Sequence, residues 1–106
     1  MLMKRVICSA AAVLMVLVGA SHAQVGNREH GLALAQQVCS ECHAIRAGQG
    51  RSPNSRSPTF FELATTPGMT SIALTVALTT PHPGMPMFML TAEQREDIIA
   101  YILSLR

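Results

Sequence analysis

The chain has 106 residues and a formal net charge of +2 at pH 7. That length allows one domain and no more. Lys4 and Arg5 account for the whole excess of positive charge, because the remaining Arg residues equal the Asp and Glu residues in number. A nucleic-acid-binding protein needs a basic face, so this balance argues against nucleic acid as a partner.

Residues 1–23 are predicted to form a secretory signal peptide. Lys4 and Arg5 precede an apolar stretch over residues 6–19, and Ser21 and Ala23 occupy the small-residue positions of a cleavage site. The alternative is an uncleaved membrane anchor, but this stretch is shorter than the roughly 20 residues of a spanning helix. We therefore expect a mature chain in the periplasm with no stable membrane insertion.

The mature chain, residues 24–106, is near the size at which an apolar core alone gives marginal stability. Its aromatic residues are few: Phe60, Phe61, Phe88 and Tyr101. A disulfide between near neighbours closes a very small loop and would stabilise little. A bound group is therefore expected to complete the core.

Residues 28–41 are predicted to form the first helix. Asn27 is a favourable N-cap residue, and an apolar stripe with helical spacing follows it. This stripe comprises Gly31, Leu34, Ala35 and Val38.

Cys39, Cys42 and His43 form a C-x-x-C-H motif at the end of that helix. Two cysteines one helical turn apart lie on the same side, where their thiols can add to the two vinyl groups of a haem. The adjacent imidazole can then reach the iron. The motif is the attachment signature of c-type haem.

Three other kinds of site could contain these residues. A thioredoxin-like redox pair needs a βαβ context, which the sequence lacks. A zinc site needs further ligands, for which His30 and His82 are the only other histidines of the mature chain. A structural disulfide is the third, and it gives the histidine of the motif no role.

The middle of the chain combines loops with one ambiguous segment. Residues 44–58 are rich in Gly, Ser, Pro and Arg and are predicted to form a loop. Residues 70–80 alternate like a strand but also fit a helix, and we favour the helix because no partner strand exists. A second irregular loop is indicated by Pro81, Pro83, Gly84 and Pro86.

The last helix is predicted over residues 92–104. Thr91 and Gln94 form a capping-box pattern, and apolar residues follow at helical spacing. The mature chain is thus expected to be all-α, with short helices and long loops.

Taken together, these segments resemble a small class I bacterial monohaem cytochrome c over nearly all of the mature chain. The likeness rests on a helix leading into C-x-x-C-H and a Met-Pro segment before the last helix. The family patterns M-P-x-F and D-h-h-A-Y, where h is apolar, fall on residues 85–88 and 97–101. The resemblance implies a cytochrome c-like fold wrapped around one covalently attached haem c.

The same resemblance implies the two iron ligands, His43 and the Met85 thioether. Met87, Met89 and His82 remain alternatives for the sixth position from the sequence alone. Met87 and Met89 are interpreted as apolar side chains that pack around the haem.

Two further roles follow from the resemblance. A proline carbonyl is expected to accept the Nδ1–H of His43, and Pro58 matches that position better than Pro53. The terminal helices are expected to cross where Gly31 allows close approach to Tyr101. This second role is packing.

The leading hypothesis is an electron carrier, not an enzyme, that exchanges electrons with a dehydrogenase, oxidase or reductase. Two alternatives are a small cytochrome subunit of such an enzyme, and a haem gas sensor or peroxidase with an opening sixth position. Strong electrostatic steering is not expected, because the mature chain has no Lys. The basic residues nearest the motif in sequence are Arg46, Arg51 and Arg56.

Overall fold

The computed structural model describes residues 26–106, so the predicted signal peptide lies outside the described residues. Over residues 26–106 the structure contains no sheet, only an isolated bridge between His82 and Met85. This confirms the all-α prediction. The helices in chain order are α1 (Arg28–Val38), α2 (Phe60–Thr65), α3 (Ser71–Thr79) and α4 (Ala92–Leu103).

Helix α1 begins as predicted but ends earlier. The Asn27 side chain accepts a hydrogen bond from the His30 backbone N–H at 3.0 Å. At the other end, the Ala35 carbonyl accepts from both Cys39 N–H and Ser40 N–H, each at 2.9 Å. This double acceptance shifts the hydrogen-bond register by one residue, so the helix ends at Val38 and not at residue 41 as expected.

Helix α2 was missed by the sequence analysis, which assigned no element to residues 60–65. Thr59 and Glu62 form a complete capping box: Thr59 N–H donates to the Glu62 carboxylate at 2.7 Å, and Glu62 N–H donates to the Thr59 hydroxyl at 3.0 Å. Two orphan donors are thereby satisfied reciprocally, which allows so short a helix to begin. Its buried residues are Phe60 and Ala64.

Helices α1 and α4 cross in direct backbone contact. A Cβ added at Gly31 would overlap the Asp97 carbonyl and lie 2.9 Å from Tyr101 Cβ. Beside the crossing, Asn27 N–H donates to the Asp97 carboxylate at 2.6 Å. The predicted crossing of the terminal helices at this glycine is confirmed.

Helix α3 confirms the helical interpretation of residues 70–80. Thr70 caps it, accepting from Ala73 N–H at 3.1 Å. Leu74 is buried, whereas Ile72 and Val76 are 75% and 55% exposed. The apolar alternation that suggested a strand therefore reflects exposed apolar residues, not a half-buried sheet.

The last helix, α4, agrees with its predicted capping box. Gln94 N–H donates to the Thr91 hydroxyl at 3.1 Å, and Thr91 N–H donates to the Gln94 side chain at 3.0 Å. Ile98 and Ile102 are almost wholly buried at the centre of the core. Within residues 26–106, no helix has both the length and the apolar character that crossing a membrane requires.

Candidate haem site

An apolar cavity lies between helices α2, α3 and α4 and the loop that precedes α4. The space it encloses, including the part open to solvent, is about 620 Å³. Of the residues that the sequence indicated as attachment sites or candidate ligands, Cys39, His43, His82 and Met85 line it. The apolar walls include Phe60, Leu63, Met69, Leu74, Leu78, Ile98 and Ile102.

The cysteines of the motif lie on a single tight turn after α1. The Cys39 carbonyl accepts from Cys42 N–H at 3.2 Å and from His43 N–H at 2.9 Å. The two cysteines are not joined to each other in a disulfide. Burial raises the pKa of Cys39 to about 11, so this side chain is a neutral thiol at neutral pH. Reactive redox cysteines instead have a lowered pKa.

His43 is oriented by a backbone carbonyl. Its Nδ1 lies 2.6 Å from the Pro58 oxygen. Because a carbonyl can only accept, Nδ1 carries the proton and Nε2 keeps a free lone pair. A metal-ligating histidine typically donates the N–H of its other ring nitrogen to a carbonyl or carboxylate in this way. The structure brings His43 together with Pro58, and not with Pro53.

The chain after the motif is fixed at several points. Phe60 N–H donates to the Ala44 carbonyl at 2.9 Å, and Ala44 N–H donates to the Ser52 hydroxyl at 3.0 Å. The Tyr101 hydroxyl donates to the buried Ile45 carbonyl at 2.6 Å. Helix α4 therefore holds the segment that carries His43 by a hydrogen bond as well as by packing.

Two aromatic contacts continue this support. The ring centroids of His43 and Phe60 are 5.6 Å apart, and those of Phe60 and Tyr101 are 6.3 Å apart. Burial raises the pKa of Tyr101, and the positive charge of Arg46 partly opposes that rise. The phenol is therefore a neutral hydrogen-bond donor at neutral pH.

Met85 and His82 lie together on the loop side of the cavity. Met85 N–H donates to the His82 carbonyl at 3.4 Å, across a turn in which Gly84 has φ +81°. The Met85 Sδ and the His82 Nε2 are 3.0 Å apart. The structure thus brings both of these candidate sixth ligands to the cavity that His43 also lines.

Met87 and Met89 do not share that position. Met87 is 48% exposed and lines a small hollow beside the main cavity. Met89 is 95% exposed, and its packing around the haem stays a prediction. It lies just before the Thr91 cap, where the chain turns its side chain outward.

The three arginines of the first loop lie in solvent. Arg46, Arg51 and Arg56 are all exposed. Arg51 lines a shallow polar hollow with Glu62 and several loop serines, away from the apolar cavity. The exposed arginines agree with the prediction of a loop over residues 44–58, although Ala44 and Ile45 at its start are buried.

The residues present fit a haem better than a bare metal ion. Within residues 26–106, no group of three or more His, Cys, Asp or Glu side chains could hold a metal ion. A large apolar cavity bordered by a C-x-x-C-H turn suits a flat, apolar ring attached through two thiols. The apolar walls from α2 were not predicted, although the Thr59–Glu62 capping pattern could have indicated that helix.

A four-helix fold around such a cavity, with this motif at its wall, defines a c-type cytochrome. The chain belongs to the family whose model is described as cytochrome c oxidase, cbb3-type, subunit III, which matches residues 26–102. It is also 38% identical over 94 residues to a cytochrome c-552 of Bradyrhizobium diazoefficiens, covering 89% of each chain. No solved structure matches the chain.

These similarities establish the class of the protein. It is an electron-carrying haem c protein and not an enzyme. Its role is to exchange electrons with redox partners.

Proposed function

We propose that the protein is a periplasmic electron carrier with one covalent haem c, attached at Cys39 and Cys42. His43 and Met85 are the axial ligands of its iron. The observation that carries this proposal is the cavity itself, in which His43 is fixed on the Pro58 carbonyl and Met85 shares the same space. The predicted signal peptide supports the periplasmic location.

The haem supplies one-electron exchange between Fe(III) and Fe(II). The protein contributes the ligands and their surroundings. The His43 Nε2 has its lone pair free for iron because Nδ1 is engaged by Pro58. The Met85 thioether favours Fe(II) and so raises the reduction potential. The apolar walls of the cavity would exclude water from the iron.

A second candidate function is a small cytochrome subunit of a membrane oxidase. The description of the matching family favours it, because that description names an oxidase subunit. The electron-transfer chemistry is the same in both cases and only the partner differs. A free carrier should be found in periplasmic extracts and should elute as a monomer in size-exclusion chromatography. A subunit should co-purify with its enzyme from solubilised membranes.

The attachment of haem is tested by mass spectrometry of protein exported by cells with haem-attachment machinery. The mature chain should begin near residue 24 and carry the mass of one haem after acid-acetone extraction. Replacing Cys39 and Cys42 by Ala should remove that haem. Cys8→Ala is the matched control and should retain it, because Cys8 lies in the predicted signal peptide. Two free thiols on the wild-type chain would contradict the proposal.

The axial methionine is tested by the visible spectrum of the oxidised protein. Methionine ligation gives a weak far-red band, and cyanide should abolish it. Met85→Ala should also abolish the band, whereas Met87→Ala should leave it intact, since the Met87 side chain is half exposed beside the cavity. The opposite result would make Met87 the ligand.

A further inference from the structure

The turn before Met85 places a second donor beside it. His82, Pro83, Gly84 and Met85 form a β-turn closed by the 3.4 Å bond from Met85 N–H to the His82 carbonyl. Proline at the second position and a glycine with φ +81° at the third are the signature of a type II turn. The first and last residues of this turn form the isolated antiparallel bridge, so their side chains are neighbours.

The His82 ring, like the ring of the proposed axial histidine, has a backbone carbonyl beside its Nδ1. Its Nδ1 lies 3.2 Å from the Thr80 carbonyl, and its Nε2 lies 3.0 Å from the Met85 Sδ. A carbonyl is a much stronger acceptor than a thioether, so the proton of the neutral ring belongs on Nδ1. His82 Nε2 then has a free lone pair, as His43 Nε2 has when Nδ1 donates to Pro58.

We infer that His82 is a second, reserve ligand for the iron position that Met85 occupies. This inference depends on the proposed haem site. The two donor atoms are 3.0 Å apart in the cavity, which is close enough for either to serve one coordination position but not both at once. A small rotation of the turn, without movement of any helix, would exchange one donor for the other.

The exchange would have two consequences for the iron. Imidazole in place of the thioether removes the ligand that raises the potential, so the His/His form has the lower potential. The coordination shell also stays closed when Met85 leaves, which keeps small ligands such as CO from the iron. The loop around this turn is exposed, so it can move at little energetic cost.

The experiment compares four holoproteins at one fixed pH: wild type, Met85→Ala, His82→Ala and the double variant. Met85→Ala should lose the far-red methionine band yet remain low-spin, with a lower potential than wild type and slow CO binding when reduced. The double variant should be high-spin and bind CO readily. His82→Ala alone should keep the far-red band.

A matched control uses another histidine of the chain. His30 lies on α1 with a side chain 72% exposed. Met85→Ala combined with His30→Ala should therefore stay low-spin, which excludes His30, from the same or a second molecule, as the replacement ligand.

The outcomes separate this inference from the function proposed above. A high-spin Met85→Ala protein, equal to the double variant, would overturn the reserve-ligand role while leaving Met85 as the native ligand. A wild type without the far-red band whose low-spin state is lost in His82→Ala would instead make His82 the native ligand. That result overturns both the inference and the proposed methionine ligation, while haem attachment stands.

Discussion

The two sides of the cavity are built in different ways. The side formed by α1 and α4 is a direct backbone crossing at Gly31, with Ile98 and Ile102 almost fully buried behind it. It is further held by the hydrogen bond from Asn27 N–H to Asp97 and by that from Tyr101 to the Ile45 carbonyl. Each contact joins residues distant in sequence, so this side forms only when the whole fold forms.

The opposite side is formed by residues 63–92, which include no Asp, Glu, Lys or Arg. Its helix α3 exposes Ile72 and Val76, and the following loop exposes Met89. The hydrogen bonds of the loop are local, such as that from Leu90 N–H to the Phe88 carbonyl at 3.0 Å. The loop before α4 is mostly exposed, so it is the part of this side that opens at low free-energy cost.

The two sides therefore hold the two proposed ligands with different rigidity. His43 is on the rigid side, where its ring and the flanking chain are fixed by Pro58, Phe60 and Tyr101. Met85 lies on the loop before α4, where the turn of residues 82–85 fixes its position. The fifth ligand is therefore expected to survive changes that dislodge the sixth.

The largest expected effect comes from adding a methyl group where the backbones of α1 and α4 are in contact. Gly31→Ala would push a methyl group into the Asp97 carbonyl and should lower the free energy of unfolding by about 3 kcal/mol. Thermal and denaturant unfolding of the holoprotein would measure the loss. Gly50→Ala is the control and should change little, since a Cβ there has nothing within 4 Å. Equal stability of the two variants would show that the helices can separate without penalty.

Tyr101→Phe should have the next largest effect. It keeps the ring against Phe60 but leaves the buried Ile45 carbonyl without its donor. An unsatisfied buried acceptor costs about 1–3 kcal/mol. Denaturant unfolding should show that loss while the oxidised spectrum keeps its far-red band. A variant as stable as wild type would mean that water replaces the phenol.

Two glycine variants compare the turn that carries Met85 with another position where the backbone has a positive φ. Gly84 and Gly68 have φ +81° and +78°, and a Cβ at either has nothing within 4 Å. Alanine should therefore cost about 1 kcal/mol at each position through backbone strain alone. Only Gly84→Ala should weaken the far-red band during mild heating, because only that turn carries Met85. Equal weakening in both variants would contradict a local role for the turn.

The sequence predicted most of the helices, and the reasons are local. Asn27, Thr91 and Gln94 mark helix ends through bonds to residues three positions away, so the pattern alone contains the interaction. Helix α2 was missed although Thr59 and Glu62 follow the same rule. Its six residues are too few to show a periodic apolar stripe.

The site was predictable where a short motif or the family resemblance indicates it, as with the Pro58 carbonyl that contacts His43. Cys39, Cys42 and His43 are adjacent in sequence, and their turn follows from that spacing. The side-by-side placement of His82 and Met85 depends on the φ of Gly84, and the outward position of Met89 depends on where the loop meets α4. Such features depend on tertiary packing, which a pattern of residue types does not specify.

The smallest expected effect is at Pro58. Its contact with His43 is made by the backbone carbonyl, which any residue possesses. Pro58→Ala should therefore leave the spectrum and the reduction potential unchanged. It should lower stability by less than about 1 kcal/mol, because a more flexible residue increases the entropy of the unfolded chain. Potentiometric titration beside thermal unfolding would check both expectations. A shifted potential with unchanged stability would mean that the proline ring itself is needed to hold the carbonyl on the His43 imidazole, and that the rigid side of the cavity depends on this residue more than its hydrogen bonds indicate.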